Sequence, residues 1–211
     1  WYRFASVAVE PGPLRAQGGL SVQASADLAL LDQADLIVVP GWRGINEPVP
    51  MALQQALKRA WQRGATVASI CSGAFVLAAT GLLDGRRAAT HWRYAQALAQ
   101  RYPAIEVDAQ VLYVQDERLF TSAGSAAGID LMLHLVRRDF GVQVANSVAR
   151  RLVVAAHRSG GQAQFIEQPL VKDASGQLAQ LLDRVRADLR RDWTVAAMAE
   201  AVAMSQRSFL R

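Results

Sequence analysis

The hydrophobic pattern along the chain changes its period several times, and each change predicts an element. "ADLIVVPGW" (residues 34–42) is a continuous apolar run, β-branched at its centre and closed by Pro40-Gly41, which reads as a buried strand. Apolar residues then recur at Met51, Leu53, Leu57 and Trp61, a helical spacing that closes on Gly64. "ATVASI" (65–70) reads as the next strand and "SGAFVLAATGLL" (72–83) as the next helix. "RRAATH" (86–91) is strand-like, and "YAQALAQRYP" (94–103) is a helix stopped by Pro103. "QVLYVQDERLFTSA" (110–123) has the form of a hairpin with Asp116-Glu117 at its turn. A long helix, "SAAGIDLMLHLVRRDFG" (125–141), ends at Gly141, and another runs from Val142 to about Val154. Upstream, residues 3–9 ("RFASVAV") and 20–23 read as short strands around the turn-rich "EPGPLRAQGG".

Strands alternating with helices argue for an α/β domain over residues 1–155, with a largely parallel sheet sandwiched by helices. Residues 156–176, polar and Gly-rich, read as a linker or domain edge. From 177 to 211 there is no strand signal. "LAQLLDRVRADLRRDW" (178–193) places Leu178, Leu181, Leu182, Val185 and Leu189 on one helical face. Thr194 is a good N-cap for "VAAMAEAVA", Met204-Ser205 makes a turn, and Ser205 caps a further helix beginning "QRSFLR". Short helix, turn and capped helix is a helix-turn-helix spacing, though spacing alone favours a plain helical hairpin packed on the main domain. In the DNA-reading alternative, Ser205, Gln206, Arg207 and Arg211 face a duplex, Gln suiting adenine and Arg suiting guanine or phosphate. Phe209 and Leu210 are then core anchors.

Composition narrows the class. With 211 residues, 52% hydrophobic and 19% charged, the chain can bury a sizeable core. No apolar run reaches the ~20 residues of a membrane span, and "WYRFASVAVEPG" lacks a cleavable apolar region. One cysteine among 211 residues makes no internal disulfide, so a reducing, cytoplasmic setting is expected. The net charge of +5 permits nucleic-acid binding but is scattered from Arg3 to Arg211, so charge alone does not select it.

That cysteine, Cys71, stands where the strand 65–70 meets the helix that follows. A sharp strand-to-helix turn with small flanking residues is the nucleophile-elbow arrangement. The helix N-terminus would aim free N–H groups at the sulfur, and the N–H of Ser72 with one from the Gly41-Trp42 turn would form an oxyanion-type pocket. His91, at the end of the following strand, is the candidate base, so Cys71 and His91 are the candidate catalytic pair. No acid occupies a clear position to complete them; Asp84 and Asp108 are possible. The alternative for Cys71 is a small residue at a tight turn. His134 reads as a packed core histidine, and one Cys with three separated His supplies no metal-ligand spacing.

"VVPGW", "SICSGAFVLAATGLLDGRRAATHW" and "LFTSAGSAAGIDLMLHLVRRDFG" together resemble the PfpI/ThiJ-type, class I glutamine-amidotransferase-like domain. With "ANSVARRLVVAAHRSGGQAQFIEQP" the chain looks more closely like AraC-type transcriptional regulators carrying such a domain at the N-terminus, the GlxA-like branch. The resemblance implies a flavodoxin-like fold, then a truncated helix-turn-helix domain over 177–211. It also implies that the first strand and helix of the domain precede Trp1, leaving a place in the sheet unfilled. Under it, Gly41, Trp42, Cys71, Ser72 and His91 line a pocket for an unknown small-molecule effector. The protein would be a homodimer that binds double-stranded promoter DNA and needs no cofactor. The other reading is a cysteine-dependent hydrolase or hydratase using Cys71 and His91; a thiol oxidant sensor is a third.

Overall fold

The computed structural model describes residues 1–15, 17–158, 160–162 and 177–210. The chain divides into two compact units, residues 1–166 and 167–211.

The first unit is built on a four-stranded sheet. Its strands are β3 (Leu36–Val39), β4 (Thr66–Ile70), β7 (Tyr113–Asp116) and β8 (Leu119–Ser122), in the order β3-β4-β8-β7. β3, β4 and β8 run parallel, with Ile37 opposite Val67 and Val67 opposite Leu119. β7 is antiparallel to β8 in the expected hairpin, so the largely parallel sheet is mixed at this edge. The cause is local: a tight hairpin can only join antiparallel strands. Its turn is Glu117-Arg118, one residue later than the pattern suggested, with Glu117 at φ 53°.

Strand alternation decides the layers. Val67 faces α1 (Met51–Arg63) and α2 (Gly73–Ala79), packing with Leu57, Phe75 and Leu77. Its neighbour Ala68 faces the other way, onto Phe120 and onto Leu131 and Leu135 of α4 (Ala126–Phe140). Leu57, Leu77, Phe120 and Leu131 are completely buried, each contributing about 1.5–3 kcal/mol of transfer free energy. α5 (Val142–Leu152) packs against α4, and α3 (Trp92–Arg101) lies between β5 (Arg87–Ala88) and β6 (Glu106–Val107), which pair in parallel.

A short strand is present within 20–23 as expected, but the readings of residues 3–9 and 10–19 need correction. Residues 3–9 form no ladder; Val7 makes a single bridge to Ala26. β1 (Leu14–Arg15) instead pairs with β2 (Ser21–Val22), across the stretch read as a loop. β propensity at 3–9 does not supply a partner strand, and Phe4 stays 91% exposed. Side chains fasten this end: Trp1 stacks on Phe140, and the Tyr2 hydroxyl donates to Asp139 at 2.6 Å. "RRAATH" is a strand only over Arg87–Ala88, because the Ala89 N–H turns aside to the buried Thr121 hydroxyl at 2.7 Å.

In the second unit, α6 (Gln177–Ala187), α7 (Val195–Ala201) and α8 (Gln206–Phe209) follow the predicted order. Thr194 caps α7 by accepting from Ala197 N–H, and Ser205 caps α8 by accepting from Ser208 N–H, both at 3.2 Å. Leu181, Ala199 and Val202 are buried. Phe209 is half-buried, but Leu210 is 70% exposed rather than a core anchor. Among the described residues no complete DNA-binding domain is evident, and no helix is long and apolar enough to cross a membrane.

Candidate functional site

β4 delivers the chain to Cys71, which takes φ 55°, a left-handed conformation rare for a side-chain-bearing residue and typical of strained functional turns. Both its backbone groups are held. The Cys71 N–H donates to Ser122 C=O at 3.0 Å, and its C=O accepts from the Thr90 hydroxyl at 2.8 Å. The half-buried thiol is thus set by its frame.

Glycines give that frame its closeness. Gly73, the first residue of α2, lies against β3: a Cβ there would drive into the Val39 carbonyl oxygen and come within 3.3 Å of Gly41 N. Gly124, at φ 108°, covers the cysteine itself, and a Cβ on it would lie 2.7 Å from Cys71 Cβ and 3.1 Å from Sγ. Ser125 follows at φ 41°, ψ −107° and opens α4. Gly124 and Ser125 are site residues that sequence reasoning missed. Their signal is the second strand-to-helix junction, "TSAGSAAG", rich in small residues like the first.

The Gly41-Trp42 turn does come to the elbow. Ser72 Oγ accepts from Trp42 N–H at 2.9 Å and lies 3.2 Å from Trp42 C=O, to which it donates. Of the N–H groups of that turn, the one on Trp42 is thus spent on Ser72. The Ser72 N–H has no partner among the described residues. The half-buried Trp42 is anchored at its rim, Nε1 donating to Glu47 C=O at 3.0 Å, with Arg43 over its ring and paired to Glu10 at 3.0 Å.

His91 caps α3, its Nδ1 accepting from Arg93 N–H at 3.2 Å. A lone pair so used leaves the ring proton of the neutral imidazole on Nε2, which then donates rather than accepts. Burial, and then the Arg93 charge, holds its pKa below the ordinary 6.5. No carboxylate bonds to it among the described residues. Asp84 sits in the turn beside Gly81, and Asp108 accepts from Gln110 N–H at 2.9 Å and from Arg87 at 2.7 Å. Cys71 and His91 therefore share a neighbourhood through Thr90, without an assembled triad.

Gln162 closes the same neighbourhood from a stretch read as linker or domain edge. It is 3% exposed, and its carboxamide binds Trp92 N–H, Thr90 C=O and Val111 C=O. A single Gln in polar sequence carries no signal for this.

His134 lies between the Tyr113 and Phe120 rings, with Nε2 2.9 Å from Gln115 Oε1. Burial first, then the neighbouring cations, lowers its pKa too. Both histidines are less readily protonated folded than unfolded, so the unfolded chain binds more protons below about pH 6.5. Thermal midpoints should therefore fall from pH 7 to pH 5. The lowered carboxylates Asp108 and Asp139 act only nearer pH 4 and below. Calorimetry across that range checks the result, and His134→Gln should flatten the slope. A flat wild-type profile would contradict it. No group of three or more His, Cys, Asp or Glu among the described residues could hold a metal ion.

The DNA-facing candidates lie in the other unit. Ser205 caps α8, Gln206 and Arg207 are exposed on it, and Arg211 falls outside the described residues.

Comparison with known proteins adds context. A model described as the DJ-1/PfpI family matches residues 2–138. The chain is 32% identical over 212 residues to the HTH-type transcriptional regulator CdhR of Pseudomonas aeruginosa, covering all of this chain and 62% of that protein. It is 32% identical to the regulator ArgR of the same organism, covering 94% of this chain and 57% of ArgR. The chain thus spans about three-fifths of these regulators. It is also 37% identical over 146 residues to isonitrile hydratase of Pseudomonas putida, covering 68% of this chain and 62% of that enzyme. Among solved structures, an AraC family transcriptional regulator from Pseudomonas putida superposes with a TM-score of 0.62 at 26% identity, over 71% of this chain and 80% of that one.

Proposed function

Since the chain belongs to the DJ-1/PfpI family, we propose that its first unit is the effector-binding domain of an AraC-type regulator and not a working enzyme. The observation that carries this is the state of His91. The elbow is built, but its candidate base has Nδ1 engaged by Arg93 N–H and no carboxylate behind it among the described residues. A thiol without an oriented base is poorly equipped for nucleophilic turnover. A half-buried Trp42 beside a Ser72 N–H without a partner among the described residues is well equipped to bind. The similarity of the whole chain to a transcriptional regulator supports the same reading. In it, Gly41, Trp42, Cys71, Ser72 and His91 line the pocket for an unidentified small-molecule effector, for which the family resemblance suggests a nitrogen-containing metabolite. Binding shifts the balance between two arrangements of a dimer, in proportion to its difference in affinity for them.

In this proposal α7 and α8 are the first helices of a DNA-reading domain, with Ser205, Gln206, Arg207 and Arg211 at the duplex. Two measurements test it. A panel of nitrogenous metabolites at 100 times Kd should include one that stabilises the chain by about 2.7 kcal/mol, lost in Trp42→Ala. A gel shift of the complete gene product on its own upstream DNA should weaken about tenfold in Arg207→Ala. Absence of any sequence-specific shift would sink the regulator.

A second reading is a cysteine-dependent hydratase or hydrolase, favoured by the elbow itself and by the likeness to isonitrile hydratase. Turnover of an isonitrile that vanishes in Cys71→Ala would establish it.

A further inference from the structure

Two side chains share the capping of α3. A helix start leaves its leading N–H groups without intrahelical acceptors. Here the Trp92 N–H donates to Gln162 Oε1 at 2.8 Å, and the Arg93 N–H donates to His91 Nδ1 at 3.2 Å. The Tyr94 N–H donates to His91 C=O at 2.8 Å. His91 is the N-cap itself, and Gln162 reaches the same turn from 70 residues beyond Trp92.

The other bonds of Gln162 fix the approach to His91. Its Nε2 donates to Thr90 C=O and to Val111 C=O, both at 3.0 Å, and its backbone N–H donates to Gln110 C=O at 2.7 Å. Every hydrogen-bonding group of the carboxamide is used, with the residue 3% exposed. The bonds to Thr90 C=O and Trp92 N–H grip the peptides on both sides of His91. The Thr90 hydroxyl holds the Cys71 C=O at 2.8 Å, which ties the gripped turn to the elbow. The imidazole is confined as well, with the Trp92 and Tyr94 rings 5.3 and 5.7 Å away, centroid to centroid. Its Nε2 has no hydrogen-bond partner among the described residues. Gln162 stands outside residues 2–138, so the match to the family does not include it.

We infer that Gln162 is the positioning residue for His91, fixing the imidazole as a hydrogen-bond donor through Nε2 and withholding it as a base. The inference rests on the effector-binding reading above, in which His91 lines the pocket. It adds the chemistry asked of the effector at that point: an acceptor, such as a carbonyl or carboxylate oxygen. His91 Nδ1 reaches the Arg93 N–H while the His91 backbone is extended, at ψ 135°, just as α3 begins. Gln162 holds that bend from both sides. Without it the Trp92 N–H loses its acceptor, the first turn frays, and the cap between Nδ1 and Arg93 opens. The two ring nitrogens then compete for the proton, and the ring no longer presents one fixed donor. Met at this position keeps the length and loses every side-chain bond.

The test uses the full chain without effector or DNA. Long-range proton–nitrogen NMR, at a pH where the imidazole is neutral, reads which nitrogen of His91 carries the proton. Hydrogen exchange reads the Trp92 amide. In wild type the proton should sit on Nε2 alone and the Trp92 amide should be protected. In Gln162→Met, His91 should show both tautomers, and Trp92 exchange should rise at least about tenfold. His134, held by its own bond to Gln115, should be unchanged. A merely structural glutamine would lower the thermal midpoint yet leave the His91 tautomer as it is, or disturb His134 equally, and either result overturns the inference. So does a wild type in which His91 carries its proton on Nδ1 or the Trp92 amide exchanges freely, which needs no variant to fold. Effector binding keeps its own test in the metabolite panel and Trp42→Ala, so failure here leaves that reading standing.

Discussion

Gly73→Ala should lower the thermal midpoint of the Cys71-bearing unit by about 6–12 °C. The new Cβ would meet the Val39 carbonyl oxygen, and the Val39 Cγ1 at 3.2 Å. The first obstacle is backbone in the central sheet, so no rotamer change relieves it. Either α2 lifts from β3 or the Val39 peptide tilts. Overpacking of this kind costs about 3 kcal/mol, and a unit of this size loses about 2–4 °C per kcal/mol. Circular dichroism measures it. A change below about 2 °C would mean that α2 is not pressed onto β3. The same variant should alter Cys71 alkylation, because the first turn of α2 sets Ser72 and Cys71 together.

Gly161→Ala should act just as strongly but locally. Its Cβ would penetrate the Gln110 carbonyl, with the carbonyl carbon at 2.9 Å, and again the obstacle is backbone. Here the collision lies at the edge of the unit, where Gly161 bridges Val111. The cheapest response is for residues 160–162 to detach. Gln162 then leaves its seat and Trp92 N–H loses its acceptor. Protection of the Gln162 amide should drop by about a hundredfold or more, while β4 and β8 change by less than about threefold. Hydrogen exchange separates the two, since edge segments open independently of the core. Equal loss at β4 would mean that the edge and the core open as one.

The contrast shows what could be read from the sequence. Strands 36–39 and 66–70 and helices 51–63 and 126–140 were legible because each repeats one period long enough to outweigh propensity noise. The elbow was legible because Pro40-Gly41 and "CSG" mark where periods change. The N-terminal stretch 3–9 was not, because a strand needs a partner and alternation does not say whether one exists. Within the site, Cys71, Ser72, Gly41 and Trp42 could be named from local pattern. The role of Ser72 in occupying the Trp42 N–H could not, since it joins residues 30 apart. His91 illustrates a different limit: its place after the elbow helix was readable, but the use of its Nδ1 depends on the cap geometry of α3. Gln162 was invisible for the strongest reason. One carboxamide satisfies three backbone groups from two distant turns, and no composition or spacing announces that.

The elbow holds Cys71 through its N–H and C=O, with Gly73 and Gly124 shaping the space around it. None of that scaffolding forms a hydrogen bond to the sulfur among the described residues. Over generations the frame and the reagent can therefore be inherited separately: a lineage can discard the thiol's reactivity and keep the fold, or recover it by a change elsewhere, such as a carboxylate placed behind His91. One architecture can in this way descend into both catalysts and receivers of signals, and the difference between them resides in a few side chains.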